Sequence, residues 1–348
     1  MARITERILT LRELNRALLA RQLLLERRKL AVPRAVERVC GLQAQFAPSP
    51  YIALWTRVEG FRKENLTRAL EQRRVVKSQL FRITLHITSA RDYPYFVAAW
   101  LPAARERTPG VSVETLEQLS REVTTAARNG PITHEQLEAI ASERMRGFRW
   151  RARTLAPLLH LPPSGTWGFH GKPQLLEMTR WLDAELPSRE DGATRLVQSY
   201  LAAFGPATQQ DLLRFAGVRA GDLRSGLEAL DLRTFNDERG RLLLDLHRAP
   251  LPDGDTPAPV RFLPKWDSAL LAYAPPERTR ILPEELRTTV IRKNGDVLPT
   301  VLVDGLVSAT WNVNRKRGLE IEPLRRLTRA ERAEIDREGA RLVEFVRS

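Results

Sequence analysis

Gln43 and Gln45 flank a single small residue, Ala44, in the segment Gly41-Leu-Gln-Ala-Gln45, which runs on into Phe46-Ala-Pro-Ser-Pro-Tyr-Ile-Ala-Leu-Trp55. A side-chain amide offers a donor and an acceptor but exchanges no proton near neutral pH. Such a pair facing a ligand would orient groups rather than supply an acid or a base. The residue pattern predicts a helix over 33–45 with the amides at its end. The plain reading of a lone glutamine is a solvated helix position, so the weight of this pair depends on the surrounding chain. Two further places offer phosphate contacts. The tract from Asn312 to Gly318 carries Arg315, Lys316 and Arg317 in succession on a predicted turn, and Lys293 with Asn294 precedes Gly295 at a predicted hairpin tip. A narrow hairpin with a cation and an amide suits a minor groove; a solvated loop tip is the competing reading for both.

Other chemistries have no carrier. His86, His134, His160, His170 and His247 show no paired metal spacing and no His-Glu-x-x-His, so no metal site and no cofactor are expected. Neither a Gly-x-x-x-x-Gly-Lys-Ser/Thr loop nor a Gly-x-Ser-x-Gly elbow occurs, which removes the commonest routes to nucleotide hydrolysis and acyl transfer. The single cysteine, Cys40, excludes an internal disulfide and lies in an apolar run where packing explains it.

The elements that position the amides are organised by an internal repeat. Gly130-Pro-Ile-Thr133-His-Glu-Gln136-Leu matches Gly205-Pro-Ala-Thr208-Gln-Gln-Asp211-Leu, and Thr10-Leu-Arg-Glu13-Leu is a third start without Gly-Pro. Each Thr, with Gln136, Asp211 or Glu13 three residues later, predicts a capping box. After Thr208 the pattern predicts helices over 209–215 and 220–229 and then strands flanking a polar turn at 236–241, the order of a winged helix. The second copy predicts helices over 135–144 and 152–160 and a turn at 162–165. The first predicts helices over 11–27, 33–45 and 66–73 and a strand-like stretch over 75–88. From about Pro250 the composition shifts, and Asn294-Gly295 and Asp304-Gly305 mark hairpins between short strands at 289–292, 297–303 and 306–313. A helix over 329–346 puts Ile335, Leu342, Val343 and Val346 on one face. The expected architecture is α+β: winged helices at 1–108, 109–190 and 191–250, followed over 251–348 by a small antiparallel β-barrel and a C-terminal helix.

The formal charge of +14, carried by only 7 lysines among 56 basic residues, attracts polyanions, although an Arg-rich composition also follows from base bias in the coding DNA. Duplex DNA is the expected partner, with the protein a monomer. The longest nearly apolar run, 95–104, contains Pro102 and is far below the ~18 residues of a membrane span. No membrane association is expected, and a cytoplasmic, nucleoid-associated location follows. Winged helices also serve regulators, scaffolds and protein-interaction modules; a non-catalytic DNA-binding protein is the alternative reading.

Taken in order, Gly41-Leu-Gln-Ala-Gln45, Pro48-Ser-Pro-Tyr-Ile-Ala-Leu-Trp55, Leu80-Phe-Arg-Ile-Thr-Leu-His86, Gly205-Pro-Ala-Thr208, Phe262-Leu-Pro-Lys-Trp-Asp267 and Pro299-Thr-Val-Leu-Val-Asp-Gly305 resemble the AlkZ-like and YcaQ-like bacterial winged-helix DNA glycosylases over nearly the whole length. That resemblance implies a basic channel for duplex DNA and a monofunctional glycosylase that excises N7-alkylated purines, in some members from interstrand crosslinks. The family's catalytic signature of Gln, an aliphatic residue and Gln in the AlkZ branch, or Asp in the YcaQ branch, falls on Gln43, Ala44 and Gln45. Ala44 is smaller than the usual aliphatic residue, and Asp267 has no role assigned by the sequence. An N7-alkylpurine is already cationic and leaves without protonation, so amides that position water and hold a sugar or phosphate oxygen would suffice.

Overall fold

The computed structural model describes residues 7–275, 277–314 and 318–348. The three Thr starts form helices as the repeat predicts: Thr10, Thr133 and Thr208 each accept from the amide three residues on, while Glu13, Gln136 and Asp211 accept from the Thr amides. The helices they open run over Leu11–Arg21, His134–Ala141 and Gln209–Ala216. Reciprocal capping satisfies amides that a helix start otherwise leaves open, which is why these starts were legible.

The strands are β1 (Ile8–Leu9), β2 (Leu42–Gln43), β3 (Val75–Leu80), β4 (Thr84–Ser89), β5 (Leu158–His160), β6 (Leu175–Glu177), β7 (Leu232–Asp237), β8 (Leu242–Leu246), β9 (Arg261–Leu263), β10 (Thr300–Val303), β11 (Leu306–Asn314) and β12 (Gly318–Pro323). They form three sheets, ordered β1-β7-β8, β2-β4-β3-β5-β6 and β12-β11-β10-β9. The first is unexpected in one respect: β1, from the start of the described chain, joins β7 in parallel. The second unites strands around the Gln-Ala-Gln segment with β5 and β6 far along the chain.

The third sheet corrects the expected barrel. Among the described residues it ends in β12 and β9 and closes no barrel. Four strands are too few to wrap round a packed interior, and one face is covered instead: Phe262, Val301, Val303, Ala309 and Trp311 share a core with Ile335, Leu342 and Phe345 of the Arg329–Arg347 helix and with Tyr51, Ile52 and Trp55 of the Ser49–Arg57 helix. Trp55 stacks on Phe345 at 5.8 Å. The motif segment and the C-terminal part of the chain are therefore built into one core.

Four local expectations change. The helix expected over 33–45 stops at Arg38 because Cys40 and Gly41 adopt left-handed backbone, φ +57° and +86°; Gln43 ends the short strand that follows and Gln45 lies just beyond it. The first helix ends at Arg21 rather than 27, with Leu23 left-handed at φ +57°. Residues 152–160 form a 3₁₀ turn over Arg149–Thr154 and then β5 rather than a helix. The strand expected at 289–292 is the end of a short helix, Arg287–Val290, with only Ile291 bridging Val297. By contrast Asp304 and Gly305 both have positive φ, +47° and +81°, and join β10 to β11 as the sequence predicts.

Arg21 and Asp245 form a fully buried pair through bonds of 2.6 and 3.0 Å, which ties the first helix to β8. Gly205 passes so close that a Cβ there would lie 2.7 Å from Arg21 Nη1 and 2.8 Å from Asp245 Oδ1. Gly205→Ala should therefore destabilise the protein by roughly 1–3 kcal/mol, measured as a lower denaturant midpoint at unchanged m-value; an unchanged midpoint would show that the pair relaxes freely.

Candidate active site

The motif is positioned by the edge of the second sheet. Past the left-handed Gly41, Leu42 and Gln43 lie opposite Ile87 and His86 of β4, and the Ala44 amide donates to Leu85 O at 2.7 Å. At the next position the backbone leaves the ladder and the Gln45 side chain replaces it: Gln45 Oε1 accepts from the Leu85 amide at 2.9 Å. A backbone N–H requires an acceptor, so this bond fixes the orientation of the amide and leaves its NH2 as the outward end.

Gln45 is exposed and lines two adjoining recesses of about 760 and 500 Å³ that share Phe46, Pro48 and Trp167. The larger is walled by the rings of Phe46, Trp167, Trp266 and Trp311 together with Lys265, Asn312, Asn314 and Arg347. No carboxylate lines either recess among the described residues. The rings are held in place. Trp311 Nε1 donates to Leu263 O and Trp266 Nε1 to Gly295 O, both at 2.9 Å. Tyr51 meets Trp167 edge to face at 5.5 Å, and the Lys63 ammonium lies 4.1 Å from the Trp167 ring centroid. Trp266 has left-handed backbone, φ +55°, directly before Asp267.

Gln43 is placed differently from Gln45. It is buried in a row with His86 and Ser78 across β2, β4 and β3 and lines neither recess. Its Oε1 and His86 Nε2 are both buried without a hydrogen-bond partner among the described residues. His86 Nδ1 donates to Thr84 O at 3.0 Å, which leaves Nε2 as a bare acceptor. Burial, and secondarily the Arg82 guanidinium, pull the His86 pKa down to about 3, so the imidazole is neutral at physiological pH and is no acid. The two amides therefore divide: one at the cavity surface, the other in the layer beneath it.

Lys293 and Asn294 occupy an exposed turn, where Asn294 Oδ1 accepts from the Asp296 amide and so shapes its own loop. The turn is fastened to the cavity wall by the Trp266–Gly295 bond and by a 2.9 Å ion pair between Lys265 and Asp296. Arg315, Lys316 and Arg317 lie outside the described residues, between β11 and β12. Asp267 has a clear role: it takes both Arg57 guanidinium nitrogens at 2.8 and 2.9 Å, each side chain 1% exposed, and accepts from the Ala269 amide. Sequence reasoning missed Trp167, Trp266 and Lys77 as cavity residues. Lys77 had a signal, being one of few lysines and set in the apolar run Val75-Val76-Lys77; the tryptophans had one too, since Trp167 stands between Thr166 and Gly168 and Trp266 between Lys265 and Asp267, outside any apolar run.

The profile of the family described as DNA glycosylase AlkZ-like matches residues 36–345. The chain belongs to that family. It is accordingly a DNA glycosylase, an enzyme that hydrolyses the bond between base and sugar. An interstrand DNA cross-link repair glycosylase of Streptomyces sahachiroi is 24% identical over 322 residues, covering 84% of this chain and 85% of that protein. The solved structure of Streptomyces sahachiroi DNA glycosylase AlkZ shares the fold, with a TM-score of 0.80 at 20% identity over 97% of each chain. In this family member the Arg57–Asp267 pair joins the helix after the motif to the wall that carries Lys265 and Trp266. Asp267→Ala strands a buried guanidinium and should cost roughly 3–5 kcal/mol, read from chemical denaturation; a loss below about 1 kcal/mol would mean the pair is dispensable.

Proposed function

We propose that the protein excises N7-alkylated, cationic purines from duplex DNA held by tandem winged-helix units, and that the bases it releases include those joined in interstrand cross-links, as the name of its Streptomyces relative states for that protein. The observation that carries this reading is the composition of the cavity: an anchored amide, four aromatic rings and cations, with no carboxylate among the described lining residues. A neutral base needs a proton to leave, and neither an amide nor a neutral His86 gives one. A base that already carries positive charge needs none, and the rings of Phe46 and Trp311, which unlike Trp167 and Trp266 have no lysine over them among the described residues, attract it through cation–π contact. The substrate class thus follows from a lining with no carboxylic acid among the described residues, whose amines and amide serve to position rather than to protonate, and from aromatic rings that host the base.

In this mechanism Gln45, its Oε1 held by Leu85, points its NH2 at a sugar or phosphate oxygen of the damaged nucleotide. As the glycosidic bond lengthens, the positive charge on the sugar is stabilised by the flanking phosphates, which the protein holds in register. Gln43 acts from below: its buried Oε1 has no partner among the described residues and becomes the acceptor for the attacking water once departure of the base lets that water in. Positioning of this kind supplies several kcal/mol of barrier lowering without proton transfer.

Gln45→Ala should lower 7-methylguanine release from a duplex about 100- to 1000-fold while duplex affinity changes by less than about twofold; full activity in the variant would refute the assignment. Wild-type protein should leave uracil in place. Because His86 stays neutral above about pH 3, 7-methylguanine release should be flat between about pH 5 and 7. A rise toward acid within that window would reveal a proton donor and contradict the mechanism.

A further inference from the structure

Lys77 stands in the smaller recess with Gln45 and has no part in the mechanism above. It lies on β3, between β4 and β5, and the residue is only 8% exposed. Its side chain runs past the 162–165 turn, where a Cβ on Gly165 would lie 3.1 Å from Lys77 Cδ. It emerges in the cavity wall with Gln45, Phe46, Trp167 and His170. Among the described residues its side-chain amine makes neither ion pair nor hydrogen bond, while its backbone belongs to the β3–β4 and β3–β5 ladders. Buried lysines are nearly always paired with a carboxylate; one left unpaired in the wall of a cavity is an amine held available. Burial alone lowers its pKa to about 8, so a substantial part of it is uncharged, nucleophilic amine at physiological pH.

We propose that, in departure from the monofunctional excision that the resemblance implies, Lys77 is the nucleophile of a second activity, strand incision at the abasic site that base excision leaves behind. Hydrolysis of the base yields a deoxyribose that equilibrates with an open-chain aldehyde at C1′, an electrophile formed beside Gln45. Lys77 Nζ adds its lone pair to C1′, and loss of water from the carbinolamine gives an iminium. The iminium acidifies C2′; that proton leaves to solvent at the exposed Gly168 and His170 edge, and its electron pair forms the C2′–C3′ double bond as the C3′–O bond breaks. The 5′-phosphorylated strand departs, and water then hydrolyses the imine to free Lys77 and an unsaturated aldehyde on the other strand end. No oxidant or reductant is consumed. The competing role for Lys77, an ammonium held against a DNA phosphate, forms no covalent species.

The inference rests on the glycosylase reading for its substrate, so the test supplies that substrate independently: a duplex whose uracil has been removed beforehand by a separate uracil-DNA glycosylase. With sodium cyanoborohydride present, the wild-type protein should become covalently joined to this duplex, with peptide mass spectrometry placing the adduct on Lys77. Trapping should rise with pH through a midpoint near 8, as the amine loses its proton, and should fall at least tenfold in Lys77→Met, whose folding is checked by thermal unfolding. Without reductant the duplex should be nicked. Absence of an adduct, an adduct on another amine, or equal trapping in a folded Lys77→Met would overturn the proposal. Release of 7-methylguanine is scored separately: its absence with trapping intact would sink the excision reading and leave this one standing.

Discussion

The buried bidentate pair between Arg57 and Asp267 is the contact on which the site depends. It joins two segments 210 residues apart and leaves each side chain 1% exposed. Arg57 ends the helix that follows the Gln-Ala-Gln segment; Asp267 follows Lys265 and Trp266 and begins the Ser268–Leu271 helix. The large recess is the space between these two walls. In so dry a setting neither partner tolerates loss of the other, and the planar fork of Arg fixes direction as well as distance. Trp311, which donates to Leu263, and Val346 and Arg347 of the C-terminal helix line further sides, and the stack of Trp55 on Phe345 holds that helix in place. The cavity is in this sense a consequence of core packing and ion pairing rather than of loop conformation.

Within that frame the chemistry is arranged by layers. The outer layer holds the oriented Gln45 amide and the aromatic rings. The layer below holds Gln43 and a neutral His86, each with one buried polar atom left unpartnered. Unpaired buried polar atoms are costly, and their coincidence beneath a cavity is what a site prepared for an incoming water or substrate group looks like. The absence of a carboxylate from the lining residues described fits the proposed reliance on positioning and charge and the proposed substrate, a base that is itself a good leaving group.

The parts of the fold that were legible in the sequence are those fixed by local rules. Thr10, Thr133 and Thr208 announce helices through reciprocal capping, and Asp304-Gly305 announces a two-residue hairpin because few other pairs accept two left-handed residues. What was not legible depended on distant partners. Gln43 and Gln45 read as a helix end because nothing nearby in sequence reveals that β4 is waiting to pair with them, although Gly41 is the residue that permits the turn. The expected barrel is an open sheet because the C-terminal helix covers its face, a tertiary choice. Asp267 became intelligible only once Arg57 was seen beside it, and Lys77 only once the 162–165 turn was seen to wall it in. The amide pair is expected as a site from its residue types and by resemblance; its division into a surface amide and a buried one was not legible.

The central claim is that the Gln45 amide, anchored through Leu85, faces deoxyribose at the point where the base departs. A crystal structure with a duplex carrying a pyrrolidine analogue of the sugar cation tests it most directly. The account predicts the analogue where the two recesses meet at Gln45, with a sugar or phosphate oxygen within ~3.2 Å of Gln45 Nε2 and the Gln45–Leu85 bond intact. An analogue bound elsewhere on the protein, with Gln45 out of hydrogen-bond reach of the damaged nucleotide, would contradict it.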